Sequence, residues 1–168
     1  MRNKIFVTLA LLTFIWGSVN AKKYPFSIDS QREVYVVRSA AAGTKMVKAI
    51  AVGGSADKAI EKAMIDAVAA ITFDGINGEG EMDGCPAVLV AGRETYNSNK
   101  TYFDNFFRKG KFLDFVSKVN STYPMGADNI KVNGGRRIQI LLIVDWKGLA
   151  GYFKDAGFKT AISELSNY

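Results

Sequence analysis

Residues 44–71 read Thr44-Lys-Met-Val-Lys-Ala-Ile-Ala-Val-Gly-Gly-Ser-Ala-Asp-Lys-Ala-Ile-Glu-Lys-Ala-Met-Ile-Asp-Ala-Val-Ala-Ala-Ile71, and their hydrophobic period changes part-way along. From Thr44 to Val52, Met46, Ile50 and Val52 share one face with Lys48, while Val47, Ala49 and Ala51 take the other. Successive strand side chains point to opposite faces, so two apolar faces predict a central strand, covered on both sides or partly so. Gly53-Gly54 breaks that strand. Ser55 can cap a helix by accepting from its orphan N–H groups, and Asp57 complements the positive helix end. Ala56, Ile60, Ala63, Met64, Ala67, Val68 and Ile71 then recur at three- and four-residue spacing. Asp57, Lys58, Glu61, Lys62 and Asp66 occupy much of the opposite side. The period has moved from 2 to 3.6, which predicts a helix laid across a sheet. Its many alanines let the two approach closely.

Working outward, Glu33–Arg38 alternates and carries Val34, Tyr35, Val36 and Val37, which predicts a strand hairpinned to 44–52 through Ala40–Gly43. Far downstream, Ile130 and Val132 precede Asn133-Gly134-Gly135, a strong hairpin turn, and Arg136–Val144 is the return strand. Its terminal half is apolar on both faces, so it too belongs in the middle of the sheet. Trp146–Ala156 reads as a helix with Leu149, Ala150, Tyr152 and Phe153, stopped by Gly157.

Between these halves, Asp74–Gly84 is a glycine-rich acidic loop, and Pro86–Ala91 reads as a short strand, with Pro86 suited to an edge or a strand start. Ser98–Asn120 reads as helix in two pieces around Gly110, with Tyr102, Phe103, Phe106 and Phe107 on one stripe and Phe112, Phe115, Val116 and Val119 on the next. Lys22–Gln31 is an aperiodic lead-in, and Phe158–Tyr168 could add a short turn. The order is β-β-α, an acidic insertion, then α-β-β-α. It closes as an α+β domain with an antiparallel or mixed sheet and packed helices. The predicted core is Val36, Ile50, Ile60, Met64, Val68, Phe103, Phe106, Ile140, Leu142 and Leu149.

The chain starts with Met1-Arg2-Asn3-Lys4, an apolar run from Ile5 to Trp16, and a small-residue exit at Val19-Asn20-Ala21. That is the pattern of a secretory signal peptide over 1–21, cleaved after Ala21, leaving one α+β domain over 22–168. The run is short of the roughly 20 residues of a membrane crossing, so no spanning segment is expected after cleavage. No cysteine lies at the exit, which excludes the lipid-modified kind of leader. Losing Arg2 and Lys4 leaves 20 basic against 16 acidic residues, a net +4 with the charges scattered. With export, that balance argues against a nucleic-acid partner and for a protein of the periplasm or another exported compartment.

Residues 48–71, with Gly53-Gly54, Ala59, Ala63 and the pair Asp66-Ala67, resemble the small envelope domains of the LPP20 lipoprotein family and the N-terminal domain of the flagellar assembly protein FlgT. In those domains a strand ends in glycine and an alanine-rich helix carries an Asp-Ala pair near its middle. The resemblance implies a non-enzymatic cell-envelope protein that binds or organises other proteins. The long aromatic helix, the acidic loop and the missing anchor cysteine depart from that pattern.

The residue inventory points the same way. Without histidine there are no Ser-His or Cys-His pairs and no histidine metal shells. No local motif marks a lysine base or a carboxylate pair, and Val52-Gly-Gly-Ser55 is a turn and cap rather than a phosphate loop. No catalytic residue, cofactor or metal is therefore assigned. Asp74, Asn77, Glu79, Glu81 and Asp83 could gather around calcium, but Ile76 stands where a calcium loop needs Asp or Asn. Cys85 is unpaired and has apolar neighbours, so it reads as buried or, if exposed, as a crosslinking thiol. The aromatic stripe reads first as core. Tyr102, Phe106, Phe107, Arg108 and Lys109 are the alternative protein-binding face, since aromatics rimmed by cations suit hot spots. Tyr96 and Tyr102 beside Lys100 would suit a glycan or peptidoglycan. A carboxylate hydrolase on Glu79, Glu81 or Glu94 is the third reading. The leading expectation is a protein-binding or assembly module with an envelope protein as its partner.

Overall fold

The computed structural model describes residues 23–41, 43–81, 83–120 and 123–161. The leader over 1–21 lies outside them. Strand β1 (Glu33–Ser39) pairs antiparallel with β2 (Thr44–Gly53), as the hairpin reading expects, with a register shift between Val36 and Arg38. β2 runs its full length against β5 (Gly135–Asp145), from Thr44↔Asp145 to Gly53↔Arg136. The other edge of β5 is shared by β3 (Val116–Lys118) and β4 (Asn129–Val132). Both long apolar strands are thus central, in a five-stranded antiparallel sheet ordered β1-β2-β5-β3, with β4 also on β5.

Register decides which side is covered. Val34, Ala49 and Ile140 align across the sheet, and so do Val36, Val47 and Leu142. All six are buried. Helix α1 (Ala56–Ala69) packs on β2 and β5 with Ala59, Ala63 and Ala67 fully buried, so the alanines do allow close approach. Ser55 caps it, its hydroxyl accepting from the Lys58 N–H at 3.3 Å. The next residues, Ala70–Asp74, continue as a π turn in which the Gly75 N–H donates to the Ala70 carbonyl at 2.8 Å.

The predicted helix over 98–120 is corrected. Helices α2 (Gly92–Ser98) and α3 (Lys100–Arg108) meet at Asn99, and Gly110, at φ 81°, ends the helical path. Lys111–Phe115 is a 3-10 turn, and Val116–Lys118 leaves it as β3, because Val116 pairs with Val144 at an open edge of β5. α2 begins earlier than the sequence suggested, from Ala91 in the left-handed region. Pro86–Ala91 forms no strand of the main sheet; Leu89 makes a single bridge to Thr160. The acidic insertion is less free than a loop reading implies. Ile76 bridges Cys85, and Val36 on the β1 edge donates to Asn77 and accepts from Glu79. Helix α4 (Trp146–Asp155) closes the same layer and ends before Gly157.

Under these helices lies an aromatic cluster. Phe103, Phe107, Phe112 and Phe153 are each fully buried, and a buried ring of this kind contributes about 1.5–3 kcal/mol over an exposed one. The lead-in is built into it. Residues 24–32 form a strap on which Phe26 stacks on Phe107, and Tyr24 meets Phe112 edge-on at 5.2 Å. Eight of the ten predicted core residues are buried; Ile50 and Met64 are half-buried. Ile65, next to Met64, is the one that points inward.

Candidate functional site

The predicted protein-binding set does not form one open face. Phe106 and Phe107 are buried and Tyr102 is half-buried, packed on Phe103 and Phe158. Of the five, Arg108 and Lys109 alone are exposed. The sugar-stacking alternative meets the same obstacle. Tyr96 is buried and its hydroxyl donates to Asp104 at 2.8 Å while accepting from Lys100 at 2.9 Å. Burial pushes the Tyr96 phenol up. Burial alone would also raise Asp104, but the hydrogen bonds from Tyr96 and Lys100 prevail and hold it below the ordinary aspartate range.

The acidic residues of the insertion are drawn apart by basic partners. Glu79 takes Lys48, and Asp74 takes both Arg32 and Arg93 at 3.1 Å. Among the described residues no group of three or more metal-ligating side chains could hold an ion. Cys85 is buried, which raises its thiol pKa, with Lys45 opposing weakly.

What the fold brings together instead is a seam of alternating charge beneath the strap. Arg32 sits at its centre with its side chain 6% exposed. One guanidinium nitrogen donates to the Ser27 and Ile28 carbonyls at 2.8 and 3.0 Å, and another to Asp74. Burial pulls the Arg32 pKa down, while Asp74 and then Asp66 oppose it. Asp66 is buried, against the sequence expectation of a solvated helix face, and accepts a hydrogen bond from Lys62 one turn earlier. Burial raises its carboxyl; Lys62 and Arg32 pull it back only in part. Asp66 could have been noticed, since it follows Ile65 and precedes Ala67 on the border of the apolar stripe. Arg32 carried no signal, because its carboxylate neighbours, Asp74 and Asp66, lie far away in sequence.

Two cavities flank the seam, and Ser30 of the strap borders both. One, of about 400 Å³, is polar and holds Arg32, Asp74, Arg93 and Asp29. The other, of about 480 Å³, has Pro25, Phe26, Val52 and Ile65 as its apolar lining and Lys58, Lys62, Asp66 and Arg108 as its charged groups.

A third surface is the side of the sheet away from the helices. Tyr35, Val52, Ile130 and Leu141 are exposed there, around half-buried Ile50 and Ile143. Two of its cations are paired within the chain: Lys48 with Glu79, while lying 5.5 Å from the Tyr35 ring centre, and Arg137 with Glu33 at 3.8 Å; Arg38 donates to the Met46 sulfur. No described helix is long and apolar enough to cross a membrane.

Comparison of the chain with protein-family models, with curated proteins and with solved structures found no match.

Proposed function

We infer that the protein is a non-enzymatic binding or assembly module of the cell envelope, and that its docking surface is the uncovered face of the sheet. The observation that supports this reading is the apolar set Tyr35, Val52, Leu141 and Ile130, left in solvent on rigid strands around the paired Lys48 and Arg137. Covering such a surface gains roughly 25 cal/mol for each Å² removed from water, before ordering costs. Because Lys48–Glu79 and Arg137–Glu33 are already paired within the chain, the fitting partner is an envelope protein with an apolar, uncharged contact face. Binding of that kind depends weakly on salt, since its gain comes from covered apolar area rather than from charge pairing.

The test is capture of partners from envelope extract on the purified protein at low and high salt, with cell-wall glycan as a parallel bait. The expected result is saturable protein capture that survives high salt and is lost in a folded Leu141→Lys variant. Retention of glycan without any protein would favour the sugar-binding alternative, and capture abolished by salt would reject the sheet face.

A further inference from the structure

The cavity between the strap and α1 has the makings of a ligand site that adjoins the sheet face at Val52. Its volume of about 480 Å³ lies within the ~300–1,000 Å³ of small-molecule pockets, which are mostly apolar with a few placed polar groups. A protein partner would instead need roughly 800 Å² of contact surface per side. Here the apolar part is Val52 and Pro25 with the margins of Phe26 and Ile65, the last two largely buried and Phe26 held by its stack on Phe107.

The charged part is lopsided: three cations, Lys58, Lys62 and Arg108, face one carboxylate, Asp66. They come from separate elements. Lys58 and Lys62 lie one turn apart on α1, and Arg108 is the last residue of α3. Lys62 is held by its bond to Asp66, and Arg108 by its bond to the Phe26 carbonyl at 3.3 Å, although Arg108 also lies 3.9 Å from Asp104. Two cationic groups are thus positioned by the fold before any ligand arrives, which lowers the ordering cost of binding.

The geometry points to a free single-chain carboxylate amphiphile, such as a fatty acid, as the ligand of this cavity, its chain along Val52, Pro25 and the margins of Phe26 and Ile65 and its head among Lys58, Lys62 and Arg108. The net positive lining disfavours a cationic amphiphile, and the apolar lining disfavours a small inorganic anion.

Calorimetric titration of the purified full chain with laurate, kept below micelle formation, tests this. One saturable site is expected, with dodecanol bound at least roughly tenfold more weakly because it lacks the charge. Lys58→Glu, at an exposed position, should weaken laurate by a similar factor, and so should Arg108→Gln. Lys154→Glu, with the same change in net charge but on α4, should leave it unaltered. The proposal falls if laurate shows no saturable binding, or if dodecanol binds as well. Equal weakening by Lys154→Glu would also end it, as would binding to anionic vesicles in place of free laurate. Circular dichroism of each variant confirms that a loss is not unfolding.

Discussion

The ring of Phe26 lies on that of Phe107 with 4.0 Å between centroids and 10° between their planes. This contact joins the start of the described chain to a helix that follows some eighty residues later, and Tyr24 N–H to Arg108 C=O at 3.1 Å runs beside it. The strap is therefore part of the core. Phe26→Ala should destabilise the protein by about 3–5 kcal/mol, as other large-to-small aromatic changes do. Urea midpoints measure that loss, and hydrogen exchange should report faster opening of residues 24–31 than of β5. A midpoint shift near zero would mean that the strap is only loosely laid on.

Neighbouring positions on α1 offer a sharper test. Ile65 is 3% exposed, whereas Met64 is half-buried and merely packs against the cluster. An unpaired carboxylate in an apolar contact is costly in proportion to how dry the contact is. Ile65→Asp should therefore cost several kcal/mol and Met64→Asp roughly half as much or less. Equal midpoints for the two variants would contradict the helix rotation described above.

Asp66 sets a pH dependence of known sign. Its carboxyl is raised above the ordinary 3.8 chiefly by burial, so the folded chain holds a proton that the unfolded chain releases. The stability this gives is complete below the unfolded pKa and is lost as pH rises through the folded pKa. Asp66→Asn has no such loss. The variant should gain on wild type as pH climbs from below 3.8 through the acidic range, read from urea midpoints at matched pH. A constant difference would place the carboxylate in a far wetter setting.

Asp104 should behave in the opposite way. Despite burial, its bonds to Tyr96 and Lys100 hold its pKa below 3.8, so its contribution is present above the unfolded pKa and is lost as pH falls through the folded one. Asp104→Asn should be less stable than wild type near neutrality and converge with it in acid. Parallel curves for the two proteins across that range would show that the Tyr96–Asp104–Lys100 group contributes nothing specific.

The parts of the fold that were legible in the sequence share a simple cause. Residues 44–71 and 130–144 alternate or repeat over many positions, and Gly53-Gly54 and Asn133-Gly134-Gly135 punctuate them, so local pattern and tertiary demand agree. The stretch 98–120 misleads because Phe112, Phe115, Val116 and Val119 have helical spacing, while the free edge of β5 draws Val116 into the sheet. Nothing local announces that competition. The same holds for the site. Aromatics beside basic residues at 106–109 look like an interface, yet a chain this rich in phenylalanine needs those rings inside. Asp66 and Arg32 acquire their character from burial and from each other, and the 24–32 strap that carries Arg32 has no period to read.

The place of β5 in the sheet has a consequence for the timing of assembly. It touches β2, β3 and β4, yet it comes after all three in the chain, and its partner β2 lies more than eighty residues earlier. Until residues 135–145 emerge, β1 and β2 form an isolated hairpin and the alanine face of α1 has half a sheet to rest on. A two-stranded hairpin alone is marginal in water, and distant pairings are slow to form. A polypeptide with this wiring completes its sheet only when residues 135–145 arrive.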